Sequence, residues 1–164
     1  MKNIIITGAS GFLGTKIYNY FNSNNLVCSV GRSLNNDLIC DLSTNVPVFS
    51  NIFFDTVIHC AGKAHIVPRT QKEVDEFNEV NFVGTKNLIK GIDSIRKLPK
   101  SFIFISSVAV YGVDEGILIN EEYVAKPKTP YGISKKLAED YIIAWGKKNN
   151  VKAGKDYFLF TRKL

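Results

Sequence analysis

The chain opens on an unbroken apolar run. Ile4, Ile5 and Ile6 lie between Lys2 and Thr7 and are closed by Gly8; a run without alternation predicts a parallel strand covered on both faces. Phe12, Leu13, Ile17, Tyr18 and Phe21 follow at mixed three-, four- and five-residue spacings. That pattern predicts a helix packed on the sheet and ending within Asn22 to Asn25. Leu26 to Val30 reads as the next strand, Asp37 to Leu42 as a brief third and Asp55 to Ala61 as a fourth, with at most a short helix between the last two. From Gln71 to about Gly91, the residues Val74, Phe77, Asn81, Gly84 and Leu88 repeat at spacings of three and four. They form one stripe of a single long helix and turn Asn81 inward. A fifth strand spans Ser101 to Ser106, and a loop from about Val113 to Lys128 follows it. Thr129 as N-cap and Pro130 at the first helical position start another helix, which Leu137, Ala138, Tyr141, Ile142 and Trp145 carry to Gly146. Tyr157 to Thr161 reads as part of a sixth strand.

Strands alternating with helices in this rhythm imply βαβ units joined by right-handed crossovers, hence an α/β protein with a doubly wound parallel sheet in Rossmann order. At 164 residues and 45% apolar, the chain holds one real core. Residues 1–150 are expected to form the dinucleotide-binding domain, and 151–164 a divergent basic tail. The net charge of +6 changes little, because the stretch from 146 to 164 holds six Lys or Arg against Asp156 alone. With the charge gathered there, a basic surface across the folded body is not expected, and neither is nucleic-acid binding. The apolar runs are too short to span a bilayer, so no membrane is expected and the cytoplasm is the expected location. Cys28, Cys40 and Cys60 are odd in number and sit in apolar stretches, which reads as reduced packing thiols without a metal.

Gly8, Gly11 and Gly14 fall between a strand and a helix. There the missing side chains permit a tight turn, close approach to a pyrophosphate and close helix packing, with the phosphate on the helix N-terminus. The second strand ends Val30-Gly31-Arg32-Ser33 without an acid. An acid would favour the ribose 2'-hydroxyl of NAD, so Arg32 leans the reading to NADP, a solvated surface arginine being the alternative. Asp41 either receives the adenine amino group or ends the third strand. Tyr131 and Lys135 are four apart, hence on one helix face. A phenolate working near neutral pH needs a pKa shift of roughly 3 units, about 4 kcal/mol, and a neighbouring ammonium favours it. Ser107, ending the fifth strand, is placed to hydrogen-bond a reacting oxygen. His59 reads as a satisfied core histidine; Lys63 and His65 carry no assigned role.

These motifs, taken in order, resemble the extended short-chain dehydrogenase/reductase family, in particular the epimerase/dehydratase group acting on nucleotide sugars. The matching segments are Thr7-Gly8-x-x-Gly11-Phe12-x-Gly14, Asp41-Leu42, Asp55-x-Val57-Ile58-His59-x-Ala61-Gly62, Asn81-x-x-Gly84-Thr85, Ser106-Ser107-x-x-Val110-Tyr111-Gly112 and Tyr131-x-x-x-Lys135. The resemblance implies Tyr131 as catalytic acid/base, Lys135 as its electrostatic partner and ribose ligand, and Ser107 as the substrate-orienting hydroxyl. It implies an NAD(P) cradle of Gly8, Gly11, Phe12, Leu13 and Gly14, continued by Arg32, Asp41, Leu42, Ala61 and Gly62. Asn81 is implied as a support of the site and, with Tyr131 and Lys135, as one of the cofactor-binding residues.

The reaction so implied is hydride transfer between nicotinamide and a carbon of a UDP-hexose. An epimerase returns the hydride to the opposite face; a reductase stops after one transfer. Dehydratases of the family place an Asp-Glu pair after the Ser/Thr position, where this chain has Val108-Ala109, and neither can move a proton. The resemblance fades near Asn150, so the expectation is a truncated chain without the C-terminal substrate domain and with impaired turnover. The alternatives are an inactive fragment or an NAD(P)-binding regulator, and self-association through the surface left uncovered.

Overall fold

The computed structural model describes residues 1–50, 53–64, 66–113, 119–120 and 122–157, the last three by backbone alone. His65 and Phe158 to Thr161, read above as an unassigned histidine and as strand, lie outside the described residues, as do 114–118 and 121 of the long loop. Six parallel strands form one sheet: β1 (Asn3–Thr7), β2 (Leu26–Gly31), β3 (Leu38–Ile39), β4 (Thr56–His59), β5 (Ser101–Ser106) and β6 (Lys152–Tyr157). Their spatial order is β3-β2-β1-β4-β5-β6. The chain reverses its direction of winding between β1 and β4, which opens a crevice at the carboxyl ends of those two strands.

The apolar run of β1 is divided by the pleat. Ile4 and Ile6 meet Ile17, Tyr18 and Phe21 of helix α1 (Phe12–Asn22) on one face. Ile5 joins Val57, Phe102 and Phe104 on the other, beneath α3 (Gly84–Asp93) and α4 (Pro130–Asn149). The indole Nε1 of Trp145 donates to Asp93 Oδ1 at 2.7 Å and ties α4 to α3. Thr129 caps α4 by accepting from Gly132 N at 3.1 Å. The three cysteines are free and half-buried, and burial pushes the Cys28 and Cys60 thiols up to about 11.

Three elements depart from the pattern. The stripe from Gln71 is broken into α2 (Gln71–Phe77), a π-helical segment (Asn78–Val83) and α3. β3 is shorter than expected, because the Asp37 carboxylate takes Ser29 N at 2.8 Å and Ser29 Oγ at 2.7 Å, while Asp41 turns back on Ser43. β6 begins at Lys152, five residues before the expected Tyr157, directly after Asn150 ends α4 in the left-handed region at φ 53°. Its opening Lys152-Ala153-Gly154 carries no apolar run to betray a strand, and it lies at the margin of the described sheet, where lysine is a common guard.

A buried polar chain crosses the carboxyl ends of β1 and β4. Ala61 N donates to Thr7 Oγ1 at 3.1 Å, Thr7 Oγ1 meets His59 Nδ1 at 2.6 Å, and His59 Nε2 meets Thr85 Oγ1 at 2.9 Å. Thr85 Oγ1 in turn donates to Asn81 O at 2.6 Å. Because the Thr85 proton is committed to that carbonyl, His59 must donate from Nε2 and accept the Thr7 hydroxyl proton at Nδ1. The ring is therefore neutral, and burial, reinforced by the Lys135 charge, lowers its pKa to about 3. An unfolded histidine titrates near 6.5, so between there and about 3 the unfolded chain binds a proton that the folded one does not. Stability present above the unfolded value is thus lost as pH falls. Urea titrations should show the wild type losing about 1.4 kcal/mol more per pH unit than His59→Gln between pH 6 and 4; equal slopes would contradict the neutral, buried ring.

Candidate active site

The turn after β1 is tight, with its backbone pressed against its neighbours. Gly8 has φ +69°, and a Cβ there would lie 2.7 Å from Ala61 N; a Cβ on Gly14 would lie 2.0 Å from Gly8 O. No side chain caps α1, so the positive end of its dipole opens on the crevice. Two adjoining cavities follow, both bordered by Gly8, Gly11, Cys60 and Gly62. One, of about 650 Å³, brings together Arg32, Ser33, Asp41, Leu42 and Ala61. The other, of about 500 Å³, brings together Phe12, Leu13, Gly14, Ser107, Tyr131 and Lys135. The crevice is thus long enough for two nucleotide halves, with the glycine turn between them and Tyr131 at one end.

Ser107 directly follows β5 and caps a 3-10 turn (Val108–Tyr111), with its Oγ accepting from Ala109 N at 3.2 Å. Tyr131 sits in the first turn of α4, its ring 6.0 Å from that of the buried Phe77. Lys135, 4% exposed, donates from Nζ to Ile105 O at 2.5 Å and lies 4.0 Å from the centroid of the Phe104 ring. Burial drives its pKa down to about 7, against the pull of Glu139 and Cys60. Burial raises the Tyr131 phenol and outweighs the hydrogen bond from Ser107; the Lys135 ammonium is directed to the β5 carbonyl and the Phe104 ring.

Asn81, expected among the cofactor contacts, stands behind the crevice at 1% exposure. Its Oδ1 accepts from Lys63 N at 2.7 Å, and its Nδ2 donates to Lys63 O at 3.1 Å and Ser134 Oγ at 2.9 Å. The side chain clamps the loop after β4 to α4 and is no part of the cavity wall. The wider π turn swings it there. Asp41 lies beyond β3, its Oδ1 held by Ser43 while it borders the larger cavity. Leu42 O accepts from Asn87 Nδ2 at 2.9 Å, fixing that wall to α3.

Two groups escaped the sequence reading. Lys63 borders the smaller cavity, with its ammonium paired to Glu76 and 5.6 Å from the Phe77 centroid. Glu139, 2% exposed, accepts a hydrogen bond from Ser106 Oγ. An acid one turn beyond Lys135, set between the core residues Ala138 and Ile142, was the available signal. Among the described residues, no cluster of three or more His, Cys, Asp or Glu could hold a metal, and no helix is long and apolar enough to cross a membrane.

The family model of the NAD dependent epimerase/dehydratase family matches residues 4–154. A GDP-6-deoxy-D-mannose reductase of Pseudomonas aeruginosa is 29% identical over 153 residues, which are 88% of this chain and 47% of the relative. A UDP-glucose 4-epimerase of Vibrio cholerae is 31% identical over 167 residues, covering 92% of this chain and 49% of the relative. The solved structure of RMD from Pseudomonas aeruginosa complexed with NADPH superposes with a TM-score of 0.73 at 27% identity, covering 94% of this chain and 53% of that one. This chain spans about half the length of the curated relatives it matches. With the Rossmann sheet, the glycine turn and the Tyr131/Lys135 helix in place, the match over residues 4–154 makes the chain a member of the NAD dependent epimerase/dehydratase family.

Proposed function

We propose that this chain is the NAD(P)-binding and catalytic part of a nucleotide-sugar 4-epimerase or 4-reductase acting on a UDP-hexose. The observation that carries the reading is the meeting of Ser107, Tyr131 and Lys135 on one cavity that also contains the turn Gly8 to Gly14. The dinucleotide-binding domain takes in residues 1–150, and its sheet is continued by β6 (Lys152–Tyr157), which pairs with β5.

The cradle suits the cofactor on its own geometry: Gly8 and Gly14 leave no room for a Cβ against the backbone of Ala61 and of Gly8, which keeps the turn tight, and the uncapped α1 favours an anion. Gly11, Phe12 and Leu13 would hold the pyrophosphate; Arg32, Asp41, Leu42, Ala61 and Gly62 would hold the adenosine half. When bound, NAD(P) accepts or donates the hydride. Ser107 orients the sugar oxygen, and Tyr131 takes or returns the hydroxyl proton. Lys135 supports the phenolate and the ribose through its charge. Since burial raises the phenol, Tyr131 as a base depends on positive charge delivered beside it. Val108 and Ala109 in the 3-10 turn offer no group to eliminate water, which favours epimerisation or reduction over 4,6-dehydration.

Arg32 and Ser33 border the larger cavity, and its one acid there, Asp41, is engaged with Ser43. This supports NADP over NAD, in line with the NADPH held by the similar RMD structure.

Two measurements test the reading. With NAD or NADP and UDP-glucose, UDP-galactose or their N-acetyl forms, an epimerase should interconvert the 4-epimeric sugars, and a reductase should give a sugar-dependent nicotinamide absorbance change. Tyr131→Phe should slow either reaction about 100-fold or more and leave NADPH affinity within about threefold. NADPH binding with neither sugar interconversion nor an absorbance change would instead assign the chain a cofactor-holding role. Arg32→Ala should weaken NADPH binding about tenfold or more, and NADH binding less than about twofold. Equal losses for both would remove the NADP preference.

A further inference from the structure

Helix α4 presents three polar side chains, Tyr131, Lys135 and Glu139, at intervals of one turn, roughly 6 Å along its axis. The end of β5 answers all three. Ser107 hydrogen-bonds the Tyr131 phenol, Ile105 O receives the Lys135 ammonium at 2.5 Å, and Ser106 Oγ donates to Glu139 Oε1. The first two belong to the site already described. Glu139 does not border the smaller cavity, yet it lies at 2% exposure among Ala138, Ile142 and Phe104 of the core.

A carboxylate in such a setting is costly unless hydrogen bonds and opposite charge compensate it. The cation one turn away is Lys135, itself 4% exposed and lodged against an aromatic ring. Burial alone pushes that ammonium toward neutrality, and Glu139 is the first-ranked influence opposing it. The other titratable groups facing Lys135 are His59 and Cys60 at the end of β4 and Tyr131 on its own helix. His59 is neutral through the physiological range, and the Cys60 thiol, pushed up to about 11, is protonated there. Among these described groups, Glu139 is the acid set one helical turn from Lys135, with its carboxylate fixed by Ser106 on the same strand end that receives the Lys135 ammonium.

We infer that Glu139 is a positioning residue that keeps the Lys135 ammonium charged and seated against the end of β5. This deepens the proposed function and rests on Lys135 having the role assigned there. Glu139 touches neither cofactor nor sugar in this account; it acts through Lys135, and Ser106 fixes its carboxylate.

The test is an NMR titration of the whole chain with 13C at lysine Cε, identifying the Lys135 signal by its loss in Lys135→Met. It needs no sugar and no turnover, so a failed turnover assay and a failed titration are separate results. The wild-type Lys135 signal should titrate near 7. Glu139→Gln should lower that midpoint by about one unit or more. Glu139→Asp, which keeps the charge but draws it back, should lower it by a smaller step and carries the test alone if the Gln variant does not fold. The pH above which NADPH affinity declines should move down in parallel. A midpoint that stays in place or rises in these variants would overturn the inference and leave Glu139 as a packing partner of Ser106.

Discussion

The hydrogen bond between Thr7 and His59, 2.6 Å long and buried, joins the carboxyl ends of the two strands at which the sheet reverses its winding. Everything that makes the crevice useful is built outward from it. On the β1 side, the chain leaves Thr7 directly into the positive-φ Gly8, whose backbone is pressed on Ala61. On the β4 side, His59 donates from Nε2 to Thr85 Oγ1, and Thr85 donates to the Asn81 carbonyl. Asn81 then clamps both backbone groups of Lys63 and reaches Ser134 on α4, one residue before Lys135. One chain of polar contacts thus fixes the relative positions of the glycine turn, the loop after β4 and the helix that carries Tyr131. Satisfied buried networks of this kind specify one arrangement, because each partner's loss strands another polar group.

The same region carries a concentration of unfavourable burial. His59, Lys135 and Glu139 are each 4% exposed or less, and burial is the dominant influence on the first two. A protein selected for stability alone would fill these positions with apolar side chains. Retaining a buried cation beside a tyrosine is understandable if its charge is used. The raised phenol of Tyr131 sharpens this point: burial favours its protonated form, and under the proposed function a positive charge placed beside it would be needed to oppose that.

Much of this was legible in the sequence, for identifiable reasons. The continuous apolar runs of β1, β4 and β5 report strands buried on both faces, and their order with the intervening helices leaves little choice of topology. Thr129-Pro130 marks the start of α4 to the residue. The glycine turn, Ser107, Tyr131 and Lys135 converge on one cavity, because a parallel sheet gathers strand ends and helix starts on one edge. What escaped was conformation or pairing that leaves no periodic trace. The stripe through Val74, Phe77, Asn81, Gly84 and Leu88 keeps perfect helical spacing across a π segment, so the widening at Asn81 is invisible in it. β6 opens on Lys152-Ala153-Gly154 and betrays no apolar pattern. Glu139 resembles any helix-surface acid until Ser106 and Lys135 are seen beside it. The sign of the Tyr131 shift depends on how deeply the ring is buried, and spacing carries no record of depth.

The central claim is that the crevice at the switch point holds a dinucleotide with its reactive ring delivered to Tyr131. A crystal structure of the chain grown with NADPH tests this most directly. The account predicts density running from Arg32 and Asp41, across the first turn of α1, to a nicotinamide ring beside Ser107 and Tyr131. Density that bypasses the turn from Gly8 to Gly14, or that leaves the nicotinamide at the Arg32 end, would contradict it.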